Sequence, residues 1–158
     1  MSGRRTLIID TDMRKPRVAS HFHLKNDAGL STYLIGHHTL DEVIKPTLIE
    51  GLDVITSGPI PPNPLDLIAL PAMEELIAEL KEKYDTIIID SPPVGFVSEY
   101  IILMKYTDSN IYVVRANYTS RGHLERINKL FKDQKIKNVS ILFNDARTPM
   151  NGYRYSYS

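Results

Sequence analysis

The chain has 158 residues and contains neither cysteine nor tryptophan. Without cysteine, disulfides and thiolate zinc sites are excluded, and a reducing compartment is compatible with the composition. An excess of either charge is also lacking. Nineteen Lys and Arg balance nineteen Asp and Glu, so no large field draws the chain to nucleic acid or anionic lipid, and nucleic-acid binding is disfavoured. Apolar runs stop at about five residues, as in Tyr100 to Met104, against the ~20 of a spanning helix. The polar start Met1-Ser2-Gly3-Arg4-Arg5 does not fit a signal peptide, so the expectation is a soluble cytoplasmic domain. The remaining composition, 42% apolar and 24% charged, is that of an ordinary globular domain.

Five β-branched runs read as strands: Thr6 to Asp10, Leu52 to Thr56, Thr86 to Asp90, Asn110 to Arg115 and Val139 to Asn144. Several are apolar at successive positions, which predicts parallel strands covered on both faces. Thr39-Leu40-Asp41-Glu42 has the form of a capping box, and Asn63-Pro64 places an N-cap residue before a first-turn proline. Met73, Leu76, Ile77 and Leu80 share one face of a helix over 71–83, with Glu74 and Glu75 early and Lys81 and Lys83 late. Ser120 is placed to cap a second long helix in which Leu124, Ile127 and Phe131 recur at helical spacing. Alternating strands and helices predict a doubly wound α/β sheet. Gly58-Pro59-Ile60-Pro61-Pro62 reads as an extended loop, and the polar-aromatic ending from Met150 as a flexible tail.

Two acids close the first strand, Asp10 and Asp12, and Asp90 closes the third. Ligands of open parallel sheets sit beyond the carboxyl ends of the strands, where these acids fall together. Hard oxygen ligands there suit Mg²⁺, which is usually held by one or two carboxylates, waters and phosphates. An aspartate ending a strand is also a common turn cap, and that reading stands beside the first.

Ile8-Ile9-Asp10-Thr11-Asp12-Met13-Arg14-Lys15-Pro16 resembles the Walker A-prime motif of the bacterial tyrosine kinases of capsule and exopolysaccharide synthesis. Tyr84-Asp85-Thr86-Ile87-Ile88-Ile89-Asp90-Ser91-Pro92-Pro93-Val94 resembles their Walker B motif. Gly29-Leu30-Ser31-Thr32-Tyr33-Leu34, the stretch Ser57 to Pro64 and the tyrosine-rich C-terminus extend the similarity over most of the chain. The resemblance implies a P-loop NTPase-type fold with a mainly parallel sheet and a protein-tyrosine autokinase acting with ATP and Mg²⁺. It implies Asp10 and Asp12 as catalytic residues, with Asp10 the base toward a tyrosine hydroxyl. Asp12 and Asp90 would organise Mg²⁺, partly through water, and Asp90 and Arg14 would contact the cofactor. It also implies a transmembrane activator of the polysaccharide co-polymerase type, a ring-like homo-oligomer whose tails enter neighbouring sites, and a location at the inner face of the plasma membrane.

One part of the family pattern is not in this sequence. No G-x-x-x-x-G-K-[ST] occurs, and only Met1 to Arg5 precede the first strand, so the amides and Lys that cradle phosphates are missing together with their strand. The expectation is a truncated kinase-like domain over 1–149 with a tail over 150–158, weak in ATP binding and inactive alone. A non-catalytic phosphoacceptor or interaction module, and a MinD or ParA-like ATPase fragment, are the alternatives. Tyr153, Tyr155 and Tyr157, separated by Arg154 and Ser156, suit a phosphoacceptor cluster. His21-x-His23 and His37-His38 lack companions at metal-site spacing. Arg14, Lys15 and Arg17 read as a solvated loop, Arg4 and Arg5 as terminal solvation, and Tyr112 and Tyr118 as packing residues.

Overall fold

The computed structural model describes residues 3–92, 97–133 and 135–146. The elements run β1 (Thr6–Asp10), α1 (Val18–His21), α2 (Leu30–Leu34), α3 (Leu40–Val43), β2 (Ile44–Pro46), β3 (Leu52–Ile55) and α4 (Pro64–Ile68). They continue with α5 (Pro71–Lys83), β4 (Thr86–Asp90), α6 (Val97–Leu103), β5 (Asn110–Arg115), α7 (Arg121–Lys132) and β6 (Val139–Asn144). All five expected strands form. The sixth, β2, has only three residues and ends in a proline, so it carries no periodic signal, and it lies at the edge where proline is tolerated.

The chain divides into two compact parts, 1–106 and 107–158. The first holds a four-stranded sheet in the order β2-β3-β1-β4. Strand β1 is parallel to both β3 and β4, and β2 is antiparallel to β3. Leu7 and Ile9 of β1 are fully buried in a core with Leu30, Ile55, Ile68 and Met73. Helix α5 occupies the expected residues, and Met73, Leu76, Ile77 and Leu80 all turn inward. Burying one such aliphatic side chain contributes roughly 1.5–3 kcal/mol. Strand β4 departs from expectation: Ile87 and Ile89 are half-buried and Ile88 is exposed. Its continuous apolar run therefore does not mean cover on both faces.

In α3 the Glu42 half of the capping box is made, with Oε2 accepting from the Thr39 amide at 2.7 Å and the Thr39 hydroxyl at 2.8 Å. These bonds hold the Glu42 carboxylate below its usual range. Asn63 precedes α4 as expected, but its amide donates to the Asp66 carboxylate at 3.3 Å rather than capping the backbone. Arg5 is not simply terminal solvation. Its amide donates to Asp85 at 2.7 Å and its guanidinium lies over the Tyr84 ring, 4.7 Å from the centroid. Tyr84 in turn donates to Asp53 at 2.8 Å, and burial, followed by Asp53, pushes its phenol up to about 12.

The second part pairs β5 with β6 in parallel, with Tyr112, Val114, Ile127 and Ile136 buried. Ser120 stands at the N-cap of α7, but its hydroxyl meets His123 Nδ1 at 2.8 Å instead of a backbone amide. Phe131, expected on the inner face, is exposed. Tyr118 is exposed too, beside the Arg115 guanidinium, so only Tyr112 of that pair packs inside.

Candidate functional site

The apolar stretch Leu7-Ile8-Ile9 makes β1 an inner strand, which carries Asp10 to the carboxyl edge of the sheet. Register pairs Asp10 with Asp90 across the β1–β4 ladder. Thr11, fully turned inward, fastens the two strand ends: its amide and its hydroxyl both donate to the Asp90 carbonyl, at 2.8 and 2.6 Å. The chain then turns on the acids themselves. Asp10 Oδ1 accepts from the Asp12 amide at 3.1 Å, and Asp12 Oδ1 accepts from the amides of Arg14 and Lys15 at 3.1 and 3.0 Å. Both acids thus serve as turn caps as well, each through one oxygen. Arg14, Lys15 and Arg17 are exposed, as expected of a solvated loop.

Asp10 is completely buried, and its Oδ2 has no hydrogen-bond partner. Burial pushes its carboxyl up from 3.8 to about 6, the negative charges of Asp90 and Asp12 add to this, and the Asp12 amide, with a weaker pull from the Val18 amide that falls short of a hydrogen bond, opposes it. Asp90 keeps contact with solvent, yet partial desolvation and then the Asp12 charge raise it above the ordinary carboxylate range, against the opposing pull of His21. A carboxylate titrating near neutrality, with one bare oxygen in a dry site, is equipped to take a proton from a bound hydroxyl.

The three acids share one edge, but among the described residues no three His, Cys, Asp or Glu side chains converge closely enough to form a protein cage for a metal ion. Such a site fits Mg²⁺ held by one or two carboxylates with water and phosphate completing the shell. Asp12 and Asp90 are of the right chemistry, and the orphan Asp10 oxygen is a buried acceptor awaiting a donor or cation.

Sequence reasoning named Thr11 within its motif and weighed His21 only as a metal ligand, and foresaw the contacts of neither. The Thr11 clamp depends on strand pairing, which no local pattern shows. His21 donates its Nδ1 proton to the Arg17 carbonyl at 2.7 Å, since a carbonyl only accepts, and that bond fixes the ring tautomer. Tyr153, Tyr155 and Tyr157 lie outside the described residues. A groove of about 480 Å³ along α5, lined in part by Leu70, Glu74, Ile77 and Lys81, carries none of the acids.

Residues 1–142 match the AAA domain family model. The chain is 34% identical over 156 residues to the putative tyrosine-protein kinase CapB of Staphylococcus aureus, covering 99% of this chain and 68% of that one. It superposes on the chimerical protein CapA2B2 with a TM-score of 0.83 at 38% identity, covering 92% of this chain and 65% of that one. Against the kinase domain of the Escherichia coli tyrosine kinase ETK the TM-score is 0.86 at 28% identity, over 99% and 62%. The chain spans about a fifth of several longer curated relatives. An archaeal MinD, at 24% identity and a TM-score of 0.66, shares the fold alone. With its acids ending paired parallel strands and this likeness along nearly its whole length, the chain belongs to the bacterial tyrosine-protein kinases within the AAA domain family.

Proposed function

We propose that this chain is the acid-bearing part of a cytoplasmic protein-tyrosine autokinase that moves the γ-phosphoryl of ATP to tyrosines of its own C-terminal cluster and so regulates capsule or exopolysaccharide synthesis. The observation that carries this reading is the buried Asp10, in register with Asp90, with one unpartnered oxygen and a carboxyl titrating at about 6. In it, Asp10 Oδ2 accepts the proton of the attacking tyrosine hydroxyl, the phenolic oxygen bonds to the γ-phosphorus, and ADP departs with the electrons of the broken P–O bond. Asp12 and Asp90 would hold Mg²⁺, which would neutralise charge on the phosphate oxygens. Arg14, on the turn set by Asp12, offers its cation to the nucleotide. Thr11 keeps both strand ends in place while this happens.

Positioning and charge neutralisation do most of the work in phosphoryl transfer, and a Gly-rich loop normally supplies the phosphate cradle. No such motif occurs in these 158 residues, so the reading includes weak ATP binding and no activity for this chain alone. A transmembrane activator of the co-polymerase type, ring-like assembly with tails entering neighbouring sites, and a place at the inner membrane face belong to the same reading. The likeness to CapB and to the CapA2B2 chimera supports it. Among the described residues no helix is long and apolar enough to cross a membrane.

Calorimetry with Mg-ATP tests the cradle: no saturable binding below the millimolar range is expected, and micromolar affinity would overturn it. Fusing a strand that ends in a G-x-x-x-x-G-K-[ST] loop ahead of Met1 is expected to produce ATP-dependent tyrosine phosphorylation that Asp10→Asn abolishes. A fusion that binds ATP but keeps full activity with Asn at this position removes Asp10 from the mechanism.

A further inference from the structure

The charges of helix α5 are spent unevenly. On one flank Lys83 Nζ pairs with Glu79 at 2.9 Å and with Asp41 of α3 at 3.7 Å. On another, Leu70, Glu74, Ile77 and Lys81 follow one another at spacings of four, three and four residues, which places them in one stripe along the helix. That stripe lines the groove of about 480 Å³, together with Lys105 and Tyr106 of the 3-10 turn Met104–Tyr106. Glu74 and Lys81 are exposed, and neither has an ion-pair partner among the described residues.

The order of charges makes this stripe complementary to itself. Glu74 stands in the first turn of α5 and Lys81 in the last, about 10.5 Å apart along the axis. Midway between them lie the buried Ile77 and the exposed Ala78, whose lone methyl lets a second backbone come close. A second α5 laid antiparallel over that midpoint sets Glu74 against the partner's Lys81 and Lys81 against the partner's Glu74. Ile77 then meets the partner's Ala78, because the members of each pair are equally far from the centre. Laid parallel, the same helices would put glutamate on glutamate and lysine on lysine, so the charges select one direction.

We propose that the groove along α5 is an interface between two copies of this chain, joined antiparallel about a two-fold axis that passes beside Ile77 and Ala78. Such a contact uses the same patch on both chains and closes on two of them. Two Glu74–Lys81 pairs fix its direction, while Leu70, Ala78 and Tyr106 supply its apolar part. Exposed ion pairs contribute little each and are screened by salt, so the association is weak, reversible and salt-sensitive. The inference does not rest on the tyrosine-kinase reading, since Asp10, Asp12 and Asp90 take no part in it. A two-fold pair also differs from ring-like assembly, which joins two different patches.

Sedimentation equilibrium of the full chain tests it. At low salt a monomer–dimer equilibrium is expected, with dimer populated at roughly 0.5 mM chain and receding at about 0.5 M salt. Glu74→Lys alone is expected to weaken dimerisation roughly tenfold, because the two-fold axis turns both attractions into repulsions, and Lys81→Glu to act likewise. Carrying both substitutions restores the alternation in reverse order and is expected to recover dimerisation. Both positions are exposed, and a thermal melt of each variant verifies that it is folded. The chain has no cysteine, so Ala78→Cys sets a lone thiol beside the axis. Under mild oxidation it is expected to form a disulfide-linked dimer several times faster than Leu48→Cys, at a fully exposed residue in the turn between β2 and β3. A chain that stays monomeric at about 1 mM, a Glu74→Lys variant that dimerises like wild type, a double variant no better than either single one, or equal cross-linking at positions 48 and 78 overturns the proposal. None of these measurements involves nucleotide or phosphate, so failure of the interface and failure of the kinase reading remain distinct.

Discussion

Replacing Asp10 by Asn is expected to stabilise the protein at pH 8. The carboxyl titrates at about 6 in the folded chain against 3.8 ordinarily, so the folded state holds its proton more tightly than the unfolded state. Between those values the folded state binds more protons, and stability falls as pH rises through the window. The loss is complete above about pH 6 and absent below 3.8. A difference of about 2 units at 1.36 kcal/mol each corresponds to at most about 3 kcal/mol. Asn keeps the acceptor for the Asp12 amide but buries an amide donor where Oδ2 now stands alone, which costs about 1 kcal/mol. The net gain expected at pH 8 is at most about 2 kcal/mol, shrinking to nothing or a slight loss at pH 4. Urea denaturation of both proteins at pH 4, 6 and 8 measures it, and Asp90, present in both, drops out of the difference to first order. A variant less stable than wild type at pH 8, or a difference that stays flat from pH 4 to 8, would refute the assignment of a strained, desolvated carboxylate.

Gly29→Ala is expected to cost more than about 2 kcal/mol, read as a lowered Tm, because its methyl meets the immovable backbone of Thr56 and Gly58 rather than a flexible side chain; a Tm within a degree of wild type would contradict the interlocked loops. Tyr84→Phe is expected to lose about 1 kcal/mol with the Asp53 bond. In the wild type, absorbance titration is expected to show one phenol ionising near pH 12, and an unshifted alkaline titration would count against that bond. Changing Tyr153, Tyr155 and Tyr157 together to Phe is expected to abolish most phosphate incorporation when intact CapB and Mg-ATP are supplied, with thermal stability almost unchanged. Phosphate mapped chiefly to Tyr33, Tyr84 or Tyr118 would contradict the tail as acceptor.

Much of the fold is local in origin, and local origin is what a sequence displays. Helix α5 appears residue for residue because Pro71 starts it, acids and lysines suit its two ends, and four aliphatic positions repeat at 3.6. The five longer strands appear as β-branched runs, and Asp10, Asp12 and Asp90 stand out as acids closing two of them. What each run is paired with leaves no local trace. Only strand pairing put Asp90 opposite Asp10 and left Ile88 of β4 exposed despite its apolar neighbours. Burial, a property of everything packed around a group, moved the Asp10 carboxyl to about 6 and left Oδ2 without a partner. The same holds for the crossing of two loops, distant in sequence, at Gly29 and Gly58. The sequence alone determined which segments become helix or strand and which of those strands end in acids, because side-chain type and spacing act over a few residues. Tertiary structure decided which acid is dry, which is wet and which loops meet at the edge, because desolvation and contact depend on chain brought together from far apart.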